Sequence, residues 1–225
     1  MNLAEEEIKY TYKDYVKWNN KIRYELIDGV PCAMASPSRL HQTISRKLLV
    51  QLDNFLRGKT CEVFHAPFDV RLNAGSFDDI VVQPDLLIVC DESKHDGKSV
   101  MGAPDMIIEI LSLANTRHDT NVKFRLYQKS GVCEYWIVDP YNKAVQAYVL
   151  KNEKYTGRIY RDDDVIPVYT LKGCQINLAD VFYNTFEPEE ESELVVRQRI
   201  IEAFRKVGVN DEQIEKAFKE LNDYD

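Results

Sequence analysis

Two short apolar runs in this chain each carry a carboxylate where a buried strand ordinarily has none. Pro84-Asp85-Leu86-Leu87-Ile88-Val89 and Asp105-Met106-Ile107-Ile108-Glu109-Ile110-Leu111 are too short for typical helices, rich in aliphatic and β-branched residues, and show no polar alternation. Such runs read as strands covered on both faces, in the middle of a sheet. An unpaired buried carboxylate is costly, so Asp85 and Glu109 each call for a cationic partner, a proton or a divalent metal. Neighbouring strands would bring the two together. Two carboxylates, completed by water and phosphate oxygens, suit the hard cations Mg2+ and Mn2+. Residue chemistry alone leaves a second reading open, in which a buried Arg or backbone amides satisfy each carboxylate. Asp105 shares a strand face with Glu109 and is an alternative ligand, although its place at the strand start suits a loop or cap.

The segments around these runs give them a setting. From Arg39 to Leu56 the residues Leu40, Ile44, Leu48, Leu49, Leu52 and Leu56 recur three and four apart, the spacing of a helical face that Gly58 ends. Asp28-Gly29 between Tyr24-Glu25-Leu26-Ile27 and Val30-Pro31-Cys32-Ala33-Met34 predicts a tight hairpin, with Pro31 putting its second strand at an edge. Cys61 to Phe64 and Phe68 to Leu72 read as short strands, Val81 to Cys90 and Met106 to Leu111 as central ones, and Asp91 to Gly102 as a loop. Asp119 to Ser130 reads as a helix with an Asp or Thr cap, stopped by Gly131. Glu134 to Val138 and Ala144 to Leu150 pair across Asp139-Pro140-Tyr141-Asn142, and a Tyr160 to Tyr169 segment extends the sheet. Tyr135 and Trp136, side by side on a strand, point to opposite faces and both read as core.

Composition removes several classes of function. The 225 residues carry a net charge of −8, which argues against coating nucleic acid through a broadly basic surface, though not against a local site. Residues 187–225 hold 12 acidic and 6 basic side chains, so an acidic helical tail accounts for most of that charge. Its apolar spacing at Ile200, Phe204, Ile214 and Phe218 asks for a partner, as a homodimer arm, a cover for the site or a helix pair. No run is long enough to span a membrane, and the start MNLAEEEIKY is acidic where a targeting peptide is basic, which points to the cytoplasm. The five cysteines, none closer than 29 residues, form no CxxC and read as reduced, mostly buried thiols. His65, His95 and His118 have no zinc spacing, and neither a GxSxG elbow nor a Gly-rich phosphate loop occurs.

Lys123 lies early in the helix after the Glu109 strand, beside the stripe Val122, Leu126 and Tyr127. An ammonium there would orient a water or neutralise charge developing on a phosphate. Taken together, QPDLLIV, PDMIIEILS, Asp119, Lys123, Tyr127 and Gly131-Val132-Cys133-Glu134-Tyr135-Trp136-Ile137-Val138-Asp139-Pro140 resemble the Uma2 family of restriction endonuclease-like proteins, a branch of the PD-(D/E)xK nuclease superfamily. Tyr24-Glu25-Leu26-Ile27-Asp28-Gly29, Ser36-Pro37-Ser38 and His41 resemble its N-terminal block. The likeness covers roughly residues 10 to 185.

The resemblance implies a restriction-endonuclease-like α/β core, a central mixed sheet flanked by helices, over residues 1–186, with the helical tail behind it. It makes Asp85 and Glu109 the catalytic acids on the second and third core strands. The two positions where the superfamily's x-K would follow Glu109 hold Ile110 and Leu111, so the lysine comes from the next helix, where Lys123 matches. Leu113 stands where the family more often has Pro. Asp85, Glu109 and the Ile110 carbonyl would hold Mg2+ or Mn2+, with Glu25 and His41 as accessory candidates. The implied activity is metal-dependent endonuclease hydrolysis of phosphodiester bonds in DNA, and Ala at Asp85, Glu109 or Lys123 is expected to abolish it with the fold intact. The alternatives are a catalytically silent nuclease-like module for binding or homodimerisation, favoured by the missing strand lysine, and hydrolysis of a small phosphate ester. Convergence of Arg23, Arg39, Arg46, Lys47, Arg117 and Arg125 near Asp85 would favour DNA.

Overall fold

The computed structural model describes residues 8–18, 22–112 and 117–185. The acidic tail, residues 187–225, and Leu113 lie outside the described residues, as do the side chains of Arg117, His118 and Asp119. In chain order the elements are α1 (Tyr12–Tyr15), β1 (Tyr24–Ile27), β2 (Val30–Ala33), α2 (Arg39–Leu56), β3 (Glu62–His65), β4 (Asp69–Arg71), β5 (Val81–Val82), β6 (Leu86–Val89), a 3-10 turn (Glu92–Lys94), β7 (Ser99–Met101) and β8 (Met106–Ile110). They continue with α3 (Arg117–Ser130), β9 (Glu134–Asp139), β10 (Ala144–Lys151), β11 (Lys154–Arg161), β12 (Val165–Pro167), β13 (Gln175–Asn177) and α4 (Leu178–Phe182).

Six strands form the central sheet in the order β11-β10-β9-β8-β6-β3, mixed because β8 and β9 run parallel while every other pair is antiparallel. A second sheet has the order β2-β1-β5-β4-β7. The central strands are covered on both faces, as their unbroken apolar runs require. On one face Ile44, Leu48, Leu52 and Leu56 of α2 pack on Leu86, Ile88, Met106, Ile108, Ile110, Trp136 and Val138. On the other, Leu87, Val89, Ile107, Tyr135 and Ile137 meet Tyr127 of α3 and Val70, Val82 and Val100 of the second sheet. Alternation along β6 and β8 therefore sends even-numbered side chains towards α2 and odd-numbered ones towards α3. Asp85 and Glu109 are odd, and that parity selects the face on which they emerge. Tyr135 and Trp136 divide as expected, one to each core, both buried.

Local signals account for much of this. The hairpin pairs Ile27 with Val30 across Asp28-Gly29, whose φ values of 50° and 80° are those of a type I′ turn, and a Cβ on Gly29 would stand 2.9 Å from Lys9. α2 has the bounds that its spacing predicts, with Ser38 Oγ accepting from the His41 amide at its start.

Other expectations are corrected. The Val81 to Cys90 run is two strands in two sheets, because Pro84 lacks the N–H that a continuous ladder needs and the chain crosses between sheets at Gln83-Pro84-Asp85. The Asp91 to Gly102 loop holds the 3-10 turn and β7, which starts where Asp96 accepts from the amides of Lys98 and Ser99. α3 begins at Arg117, so Asp119 and Thr120 fall inside its first turn rather than at the cap. The sheet is extended by β11, which takes in Tyr160 and Arg161 but not the rest of the Tyr160 to Tyr169 segment. Asn152 and Glu153, with φ of 48° and 62°, close its hairpin with β10, while β12 pairs with β13 in a separate two-stranded sheet.

The reading of five reduced, mostly buried thiols also fails. Cys61 and Cys90 form a disulfide across the β3–β6 pair, where the register Glu62↔Val89 sets them opposite each other. Of the free cysteines, Cys32 and Cys133 are exposed, and Cys174 alone is buried, which pushes its thiol up to about 11.

On β11, Gly157 faces Tyr148, and a Cβ at that position would lie 2.4 Å from the tyrosine ring. Gly157→Ala is expected to destabilise the protein by about 1–3 kcal/mol through overpacking. Urea unfolding measures this, and an unchanged midpoint would mean that the ring swings aside without loss.

Candidate active site

The site forms where the odd-numbered face of the central sheet meets α3 and β1. β6 and β8 are antiparallel with Leu86 opposite Ile108, so the residues one step outward, Asp85 and Glu109, stand side by side. The Ile110 amide, no longer needed by the ladder at the mouth of the strands, donates to Asp85 Oδ2 at 2.8 Å. His41, from the first turn of α2, reaches the same oxygen with Nε2 at 3.0 Å. The cap of α2 is Ser38 and not His41, whose amide donates to Ser38 Oγ.

On α3, Lys123 and Tyr127 are one turn apart and face the sheet together. Lys123 Nζ donates to Glu109 Oε1 at 3.0 Å, and Tyr127 Oη donates to that same oxygen at 2.6 Å. The lysine also donates to Glu25 Oε1 at 3.0 Å, and this oxygen accepts from the Gln83 amide at 2.9 Å. Lys123 and Glu25 are 8% and 5% exposed, so their ion pair operates where water screens it little. Glu25 is thus a buried partner of Lys123. The helix supplies the ammonium to a carboxylate from each sheet.

Burial, together with the charges of Asp85 and Glu25, pushes the Glu109 carboxyl up to about 7, against the opposing pull of Lys123 and Tyr127. Burial also holds the Tyr127 phenol well above its ordinary value, helped by Glu109 and Glu25, so it remains a donor. Burial lowers the His41 imidazole, but the Asp85 hydrogen bond and charge outweigh it and the net direction is upward.

A cavity of about 410 Å3 opens over this group, lined by Asp85, Glu109, Lys123, His41, Gln83 and Arg23 among others. The side chains of Asp85 and Glu109 are 18% and 14% exposed. Among the described residues no hydrogen bond reaches Asp85 Oδ1 or Glu109 Oε2, so each carboxylate keeps one oxygen for a ligand. No group of three or more His, Cys, Asp or Glu side chains is placed to hold a metal among the described residues.

Asp85, Glu109, Ile110, Lys123, Glu25 and His41 all converge here, and Asp105 does not. It caps the far end of β8 by accepting from the Cys90 amide at 2.8 Å. Of the basic candidates only Arg23 lines the cavity among the described residues. Arg125 lines a different one, and Lys47 donates to the Tyr183 carbonyl. Sequence reasoning missed Tyr127 as a site residue, though its position one turn after Lys123 marks it. It also missed Gln83, two residues before Asp85, whose side-chain amide donates to Tyr15 Oη and Asp69.

A mixed sheet covered on both faces, with two carboxylates at adjacent strand mouths and a helix-borne lysine against them, defines a restriction-endonuclease-like fold. A crystal structure of a "putative nuclease belonging to DUF820" from Anabaena variabilis shares it, with a TM-score of 0.63 over 78% of this chain and 99% of that one at 18% identity. The chain belongs to the Uma2 family, described as "putative restriction endonuclease", whose profile matches residues 12–179. An uncharacterized protein of Synechocystis sp. is 26% identical over 133 residues, 58% of this chain and 68% of that protein. Among the described residues no helix is long and apolar enough to cross a membrane.

Proposed function

We propose that this protein is a metal-dependent endonuclease that hydrolyses phosphodiester bonds in DNA. The observation that carries the reading is the pairing of Asp85 with Glu109 across β6 and β8, with Lys123 Nζ 3.0 Å from Glu109, inside one open cavity. Membership of the Uma2 family supports the same reaction class.

The donor set fits a hard cation. Asp85, Glu109 and the Ile110 carbonyl offer oxygen only, each carboxylate has an uncommitted oxygen, and so small a set of protein ligands leaves places for water and phosphate, as Mg2+ and Mn2+ favour. When bound, such a cation supplies Lewis acidity towards a phosphate oxygen and lowers the pKa of water. The remaining roles belong to the chain. Lys123, bracketed by the carboxylates of Glu25 and Glu109, is a fixed point charge that orients a water and offsets negative charge growing on the phosphate. Tyr127 holds the Glu109 carboxylate in orientation, and His41 does the same for Asp85. Glu25 acts through Lys123 and is a positioning residue, rather than an accessory metal ligand.

Incubation with supercoiled plasmid tests the activity: nicked circles are expected with Mg2+ and none with EDTA. A readout independent of turnover accompanies it. Mn2+ should raise the melting temperature saturably, corresponding to about 2.7 kcal/mol at a hundred times its Kd, and Asp85→Asn should remove the rise. Absence of both nicking and a saturable shift would sink the proposal.

A further inference from the structure

The two carboxylates of the cavity are each engaged, Asp85 by a hydrogen bond with His41 and Glu109 by an ion pair with Lys123. Arg23 lines the same cavity, is partly exposed, and its side chain makes no hydrogen bond or ion pair among the described residues. It sits one residue before β1, and its carbonyl accepts from the Met34 amide at 2.9 Å, so the backbone beneath it is part of the hairpin ladder. The guanidinium is therefore a surplus positive charge mounted on a paired strand end. A guanidinium fork matches the oxygens of a phosphate.

The start of α2 favours an anion in the same cavity. The N-terminal end of the 18-residue helix α2 reaches the cavity through His41 and Gln42, and its first turn has no acidic residue to offset the helix dipole.

Resting on the nuclease reading above, we infer that Arg23, in the cavity that the N-terminal turn of α2 also lines, binds a backbone phosphate of the nucleic-acid substrate. Arg23 is thus a substrate-binding residue, distinct from the residues placed at the reacting phosphate. Its contact is made in the ground state as well as in the transition state, so its loss raises KM more than it lowers kcat.

The test uses the full chain and a fluorescein-labelled DNA duplex, with Ca2+ replacing Mg2+ and KCl varied. Each neutralised phosphate contributes about 0.9 to the slope of log K against log salt on B-form DNA. Arg23→Ala should weaken binding and reduce that slope by about one, while Arg125→Ala, in a separate cavity on α3, leaves it unchanged. In Mg2+, Arg23→Ala should raise KM for plasmid nicking with a smaller change in kcat. Wild-type affinity and slope in Arg23→Ala overturn the inference and leave the nuclease reading standing, provided that the wild type still nicks plasmid. An equal slope loss in Arg125→Ala overturns it too, because the contact is then diffuse surface charge. A wild type that neither binds nor cuts DNA overturns the nuclease reading, and this inference falls with it.

Discussion

On the nuclease reading, Asp85→Asn and Glu109→Gln are each expected to lower Mg2+-dependent nicking on the order of 100- to 1,000-fold or more, because each variant weakens the hold on the cation that polarises the phosphate. The unfolding midpoint changes little by comparison. The choice of amides follows from the hydrogen bonds. Asn at 85 keeps an acceptor for the Ile110 amide, and Gln at 109 keeps one for Tyr127 and Lys123. What each variant loses is the negative charge at the cavity mouth, while the shape of the strand ends is preserved. Plasmid nicking beside circular dichroism melts is the measurement. Cleavage by both variants at the wild-type rate would exclude this pair from the chemistry.

Lys123→Ala has a different consequence, and the expectation that alanine there spares the fold needs correction. The ammonium is shared by Glu25 and Glu109, and its removal leaves two carboxylates facing each other in a site where Glu25 is 5% exposed. Breaking a buried ion pair by deleting one partner costs on the order of 3–5 kcal/mol, because the charge left behind has neither water nor a counter-ion. Lys123→Ala is therefore expected to lose both nicking and a large share of its stability. Adding Glu25→Gln removes one of the stranded charges, so the double variant should be more stable than Lys123→Ala alone, with a coupling of about 1–3 kcal/mol. Urea denaturation of the four proteins of this cycle measures the coupling. A loss below about 1 kcal/mol in Lys123→Ala would mean that water already reaches the pair.

Features legible in the sequence share a cause: they are set by interactions within a few residues of each other. The three-and-four spacing from Leu40 to Leu56 gives α2, Asp28-Gly29 gives the β1–β2 turn, and the apolar runs around Asp85 and Glu109 give central strands. Placing a carboxylate in such a run also shows that something unusual must satisfy it. Where the reading failed, the deciding partner is remote. Cys61 and Cys90 are 29 residues apart with no spacing signal, and strand pairing alone sets them opposite each other. The Val81 to Cys90 run looks continuous, yet its two halves find different sheets once Pro84 interrupts the ladder. Asn152-Glu153 closes a hairpin without the glycine that usually marks one.

The candidate site divides in the same way. Asp85, Glu109 and Lys123 stood out because each is the wrong residue for its surroundings or the right one for a resemblance. The partner of Glu25 did not, since nothing near a half-apolar hairpin strand names a lysine 98 residues away. Nor did the selection of Arg23 from six basic candidates, because charge type is written in the sequence but direction is not.

By itself, the chain determines α2, the β1–β2 hairpin, the buried character of the strands around Asp85 and Glu109, and the need of those carboxylates for a counter-charge. These follow from local sequence patterns and from the cost of burying charge. Tertiary structure alone decided which charges meet: Glu25 with Lys123, His41 with Asp85, and Arg23 left facing the cavity. The pairing of strands and the docking of α3 on the sheet set distances between residues far apart in the chain, and electrostatic partnership depends on those distances.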